Sequence, residues 1–302
     1  MMRYLPIVSF VLLFTVYACG GETTPTAEEH QTEEPTQIEE APQQEDKTYQ
    51  NVAFAEANPE VTGQEIEYST ANTKMTGYLA FDDKVEGKRP GVLVIHEWWG
   101  HNDYARKRAE MLAELGYVAL AVDMYGDGKK ADHPNDAGKF SGEVFSNMDE
   151  AKARFEQAMT TLKAHPMVDG EKLASIGYCF GGSVSLAMAN AGYDLDAVAA
   201  FHSGVQLPIM PTEGTEVKAE MLVANGAADP FIPVESVAVW SKAMEDAGVV
   251  YEYVAFDNAK HAYTDPGATA KGEKFELPLE YNEAADRESW MKLQALLDRT
   301  LN

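Results

Sequence analysis

Cysteine is nearly absent from this chain, with 2 among 302 residues, Cys19 and Cys179. Two cysteines cannot make a disulfide framework, and neither stands in a C-x-x-C pair that would suggest dithiol redox chemistry. Basic residues are scarce as well. Lys and Arg number 24 against 49 Asp and Glu, a formal net charge of −25. Such a surface repels phosphate, so nucleic-acid binding has no electrostatic support. The opening apolar run, from about Leu5 to Ala18, falls short of the roughly 20 residues that span a bilayer. The segment "HEWWGH" (96–101) lacks the metalloprotease spacing, because Gly100 stands four residues after His96 and His101 only at the fifth. No metal or cofactor is expected.

What the first 50 residues do contain is a targeting pattern. Arg3, the short apolar run and the ending "VYAC" fit a secretory signal peptide over residues 1–18. The ending resembles the lipobox of bacterial lipoproteins, which implies acylation of Cys19 and a membrane anchor. An ordinary signal peptide cleaved near Ala18 is the plainer alternative, and a Cys19–Cys179 disulfide a third. Residues 19–50 are rich in Glu, Thr, Gln and Pro and almost free of aliphatics. They bury too little to offset chain entropy and read as a disordered acidic tether.

From 51 to 302 the composition is that of a globular domain. "QEIEYST" and "KMTGYLAF", separated by "ANT", read as a β-hairpin. Apolar strand-like runs follow at 91–97, 118–124, 173–178, 197–202, 220–226 and 250–256, with helical periodicity at 104–115, 148–164, 182–191, 234–247 and 283–300. Strands alternating with helices predict an α/β fold with a mostly parallel sheet covered on both faces. Ligands of such sheets bind at the carboxyl ends of the strands.

The unusual residues fall at those ends. Gly177-Tyr178-Cys179-Phe180-Gly181 has the spacing of a nucleophile elbow, with cysteine in place of serine. A helix N-terminus there favours thiolate, and the Phe180 amide points where an oxyanion would form. A buried structural thiol is the alternative. A nucleophile also needs a base oriented by a third group. His261 follows the last strand-like run and Asp229 the one before it, in the order nucleophile, acid, histidine. Asp257 competes for the acid but lies awkwardly close to His261 in sequence. His96 and His202 end strands as packing or pocket-wall groups; His133 and His165 read as loop residues, and His30 falls in the tether.

"VIHEWWG", "GYCFGG", "GAADPFIP", "KHAYT" and "YNEAADRESWMKLQALL" together resemble the dienelactone hydrolase family of α/β-hydrolases. The resemblance covers nearly all of 60–302. It implies Cys179 as nucleophile, His261 as base and Asp229 as orienting acid, with the amides of Trp98 and Phe180 as oxyanion hole. Glu97 would match a buried glutamate that takes the thiol proton when substrate docks; a surface or N-cap glutamate is its alternative. The implied substrate is a small ester or lactone. Dienelactone-cleaving members carry an arginine four residues after the histidine, and here Asp265 stands there. That predicts a preference for neutral substrates, unless the loop after Pro266 returns Lys271 or Lys274 to the pocket. A non-catalytic binding lipoprotein with the same fold is the rival reading.

Overall fold

The computed structural model describes residues 60–212 and 214–302. The signal segment, Cys19 and the acidic stretch to residue 50 lie outside the described residues.

Eight strands form one sheet in the order β1-β2-β4-β3-β5-β6-β7-β8. In chain order they are β1 (Val61–Ser69), β2 (Lys74–Asp82), β3 (Arg89–Ile95), β4 (Val118–Val122), β5 (Val168–Tyr178), β6 (Ala197–Phe201), β7 (Glu220–Gly226) and β8 (Tyr251–Phe256). The β1–β2 hairpin is antiparallel and joins β4 antiparallel. Every pairing from β4 through β8 is parallel. The central strands are buried on both faces, β4 and β6 along their entire length, which explains why they read as continuous apolar runs rather than alternating ones.

Helices cover both faces. On one lie α1 (Asp103–Glu114) and α7 (Glu283–Leu301), packing Ala105, Ala109, Leu112, Leu293 and Leu297 against the sheet. On the other lie α3 (Met148–Lys163), α4 (Phe180–Asn190) and α5 (Val234–Asp246), with Phe155, Leu162, Val184, Met188 and Trp240 in the core. All of α4 is buried, so its small residues let it sit directly on the sheet. Asn102, Asn147 and Asn282 cap α1, α3 and α7 by accepting a backbone N–H, as short polar side chains do at helix starts.

Two helices depart from the sequence expectations. Residues Pro134–Ser146 form α2, and His133, expected in a loop, is its N-cap, accepting from the Asn135 N–H at 3.2 Å. The stretch after Pro266, expected as a loop, contains α6 (Ala268–Phe275). Strand ends also retreat slightly: His96, Glu97 and His202 lie just beyond β3 and β6 rather than within them. The His202 N–H nevertheless still donates to the Ala224 carbonyl of β7 at 2.8 Å.

Candidate active site

Cys179 is the residue between β5 and α4. Its backbone has φ 53° and ψ −116°, a conformation that costs an L-residue about 1–3 kcal/mol and is held only by its surroundings. Those surroundings are tight. A Cβ on Gly177 would come within 2.2 Å of the Gly181 backbone, and one on Gly181 within 2.3 Å of the Ile95 carbonyl. Glycine at both positions lets α4 close onto β5 and β3. Cys179 donates its own N–H to the Phe201 carbonyl at 2.9 Å and is a free, half-buried thiol.

His261 follows β8 and Asp229 follows β7. The histidine donates from Nδ1 to Asp229 Oδ2 at 2.7 Å. The carboxylate also accepts the Phe231 N–H at 2.9 Å and is fully buried. With Nδ1 engaged, Nε2 is the nitrogen left for the thiol, and the Cys179 charge acts on the ring. Burial alone would lower the His261 pKa. The Cys179 charge and the bond to Asp229 outweigh burial and raise it to about 10. Asp257 is exposed on the turn after β8, and among the described residues its carboxylate makes no bond to His261. Cys179, His261 and Asp229, from three separate strand ends, thus meet at one edge of the sheet.

Glu97 follows β3 and is 2% exposed, with Oε2 lacking any hydrogen-bond partner among the described residues. Burial and the Asp265 carboxylate raise its pKa to about 7, against the pull of Lys271, His261 and Arg108. A carboxyl whose folded pKa exceeds its unfolded one loses stability for the fold as pH rises between the two values. Glu97→Gln should therefore match the parent chain near pH 4 and exceed it by up to about 3 kcal/mol at about pH 8. Urea unfolding at both values checks this; an offset independent of pH would show that Glu97 titrates normally.

Phe180 directly follows Cys179 in the chain, and Trp98 directly follows Glu97. Phe180 opens α4, where a first-turn N–H has no helical acceptor. Trp98 is half-buried, and its carbonyl accepts the Tyr125 hydroxyl at 2.9 Å. Among the described residues neither N–H has an acceptor. Phe231, half exposed, sets its ring edge-on to His261 at 5.1 Å, so the mouth of the site is aromatic.

The Asp265 expectation needs correction. Its carboxylate is 5% exposed, accepts the Gly267 N–H at 2.8 Å and pairs with Lys271 Nζ at 2.7 Å. Lys271 extends from α6 over the Trp99 ring at 5.5 Å. Asp265 is therefore not a lone negative charge, and the penalty on anionic substrates drawn from it loses its basis. Lys274 points elsewhere, over the Phe275 ring.

Sequence reasoning missed Arg108, Tyr104 and Thr264 behind the histidine. One signal was available for the arginine: it falls on the buried stripe of α1 with Ala105, Ala109 and Leu112, where a charge is out of place unless it is paired.

A mostly parallel sheet with a strained Cys179 turn and an Asp-supported histidine at its carboxyl edge defines an α/β-hydrolase. The family model "Dienelactone hydrolase family" matches residues 75–301, and the chain belongs to that family. It is 32% identical to "Protein usf" of Aquifex pyrophilus over 206 residues, 67% of this chain and 87% of the relative. The solved structure m3DLH is 33% identical, with a TM-score of 0.75 over 80% of this chain and 99% of that one. A dienelactone hydrolase-like promiscuous phosphotriesterase, P91 from metagenomic libraries, is 31% identical, with a TM-score of 0.73 over 80% and 99% of the two chains.

Proposed function

We propose that this chain is a membrane-tethered thiol hydrolase that cleaves small esters or lactones. The observation that carries the reading is the strained Cys179 turn at the same end of the sheet as a histidine whose Nδ1 is held by Asp229 at 2.7 Å. His261 Nε2 takes the thiol proton, and the thiolate attacks the substrate carbonyl carbon. The carbonyl electron pair moves onto oxygen, which the Phe180 and Trp98 amides hold. Collapse expels the alkoxide, which receives the proton from His261 and leaves an acyl thioester. Water deprotonated by His261 then cleaves the thioester, releasing the acid and restoring the thiol. Glu97, with its unpartnered oxygen in a dry site, relays the thiol proton, accepting it as substrate docks and passing it on to His261 Nε2.

A panel of neutral esters and lactones tests the reading, and multiple turnovers per chain are the expected result. A single burst of product without turnover would instead favour the binding-protein reading.

The Asp265–Lys271 pair leads to a second expectation. Matched neutral and carboxylate-bearing esters should have kcat/KM values of the same order, because the pair is locally neutral. In Lys271→Ala the carboxylate stands alone. Two like charges about 10 Å apart at an effective dielectric of about 20 repel by roughly 1.7 kcal/mol, so the anionic ester should fall roughly tenfold relative to the neutral one. Kinetics at low salt decide, and equal loss for both esters would rule out an electrostatic role.

Anchoring belongs to the same proposal. Acylated Cys19 would carry two or three chains, enough for stable attachment. Gly20 in place of an aspartate favours the outer membrane. Cys19→Ser should release the protein from membranes or leave it unprocessed; a mature variant still found in the membrane fraction would refute the anchor.

A further inference from the structure

Behind His261 lies a buried polar chain that the reaction above does not use. Arg108, on α1 and 4% exposed, donates from Nε to the Tyr104 hydroxyl at 3.3 Å. It also donates from Nη2 to the Thr264 carbonyl and to Asp286 Oδ1, both at 2.6 Å. The Tyr104 hydroxyl lies 2.5 Å from Thr264 Oγ1, which in turn lies 2.7 Å from His202 Nε2. The His202 ring meets the His261 ring at 5.3 Å and 70°.

The protons in this chain have one consistent order. A guanidinium cannot accept, so Tyr104 accepts from Arg108 and has only Thr264 to receive its own proton. Thr264 therefore accepts from Tyr104 and donates to His202 Nε2, which must hold a lone pair. His202 Nδ1 is buried without a partner. With Nε2 accepting from Thr264, the ring can hold a proton only at Nδ1, so the His202 ring is neutral.

We propose that Thr264 and His202 are positioning residues for the catalytic base: the donor chain from Arg108 keeps a neutral, fixed imidazole against His261 while that ring carries the thiol proton. The proposal rests on His261 being the base. A charged ring at 5.3 Å would expel the His261 proton by like-charge repulsion. The other groups facing the pair are accounted for. Asp229 and Cys179 face His261 directly, and Glu97 is also within its field. Arg108 and the Tyr178 and Tyr263 rings face His202. Burial, His261 and Arg108 all hold the His202 pKa well below the usual imidazole value, which agrees with a neutral ring.

The test reads the Cys179 thiolate directly, through the pH dependence of iodoacetamide alkylation in the full chain. Thr264→Val keeps the shape and removes the donor. Alkylation near neutral pH should drop about five- to tenfold, the worth of one net hydrogen bond, with the profile displaced to higher pH. In hydrolysis the loss should fall on kcat rather than KM. Thr264→Ser should restore most of the rate. Tyr104→Phe should give an intermediate loss, because nothing then forces the threonine proton towards His202. A folded Thr264→Val with the parent profile overturns the proposal. If that variant does not fold, the parent profile in Tyr104→Phe does so instead. Displaced profiles in a chain that hydrolyses no ester would uphold the positioning role and refute the hydrolase reading; normal hydrolysis with unmoved profiles would do the reverse.

Discussion

Cys179→Ala should eliminate ester hydrolysis, with kcat/KM reduced by at least about a thousandfold, as expected when the nucleophile of a coupled triad is removed. The fold should survive. The thiol is half-buried and packs at the margin of the core, so its loss leaves little cavity. Alanine retains the Cβ and therefore the strain of the φ 53° turn. Binding should also survive, because the Trp98 and Phe180 amides proposed as the oxyanion hole belong to the backbone. The informative measurement pairs the kinetics with fluorescence titration of a slowly cleaved ester. Lost turnover with retained binding supports nucleophilic catalysis. Full activity in the alanine variant would end the cysteine mechanism, and His261 would then have to activate water directly.

A second large effect is expected from a single methyl group. In Gly181→Ala the new Cβ would lie 2.3 Å from the Ile95 carbonyl and 2.5 Å from that of His96. Both contacts are to backbone, which cannot rotate aside. Either α4 moves off the sheet or the segment after β3 moves away, and that segment carries Glu97 and the Trp98 amide. Overpacking of this kind costs about 1–3 kcal/mol. Displacing aligned groups by about 1 Å costs on the order of a hundredfold in rate. Urea unfolding and kcat/KM should therefore fall together. Parental kinetics in a destabilised protein would mean that helix and strand can part without disturbing the amides.

Much of this site can be read from the chain because its parts are local. The Cys179 turn is five consecutive residues whose glycines are required by backbone contacts, and a period change on either side marks the strand and helix. Asp229 follows the buried strand β7 and His261 the edge strand β8, both of which read as strand-like runs. The α2 and α6 helices were illegible for the opposite reason. The first contains Gly138 and Gly142, poor helix formers, and buries only Ala137 and Val144. The second is 8 residues long with Gly272 inside it, where a Cβ would meet the Leu279 carbonyl at 2.4 Å. Tertiary packing, not propensity, makes both helical. Missing α6 hid the partner of Asp265: its charge is plain in the sequence, while the lysine that cancels it is delivered by a helix the sequence does not announce. The Thr264–His202 contact joins residues 62 apart, and nothing in either segment names the other.

Three residues around the site share an uncommon backbone. Cys179, His202 and Ala262 have φ of 53°, 40° and 59°, each in the region where glycine or asparagine is at ease and other residues are strained. They stand at the carboxyl ends of β5 and β6 and immediately after His261. The sheet holds them as a clamp holds bent springs, and the tension aims the thiol and the two imidazoles. The same arrangement sets the chain's tolerance of change against its chemistry. Selection for heat resistance alone would favour relaxed residues at these three places, and two of the three carry side chains that the site uses. Heat-resistant descendants of this chain should therefore find their gains in the surface helices, leaving the bent positions as they are.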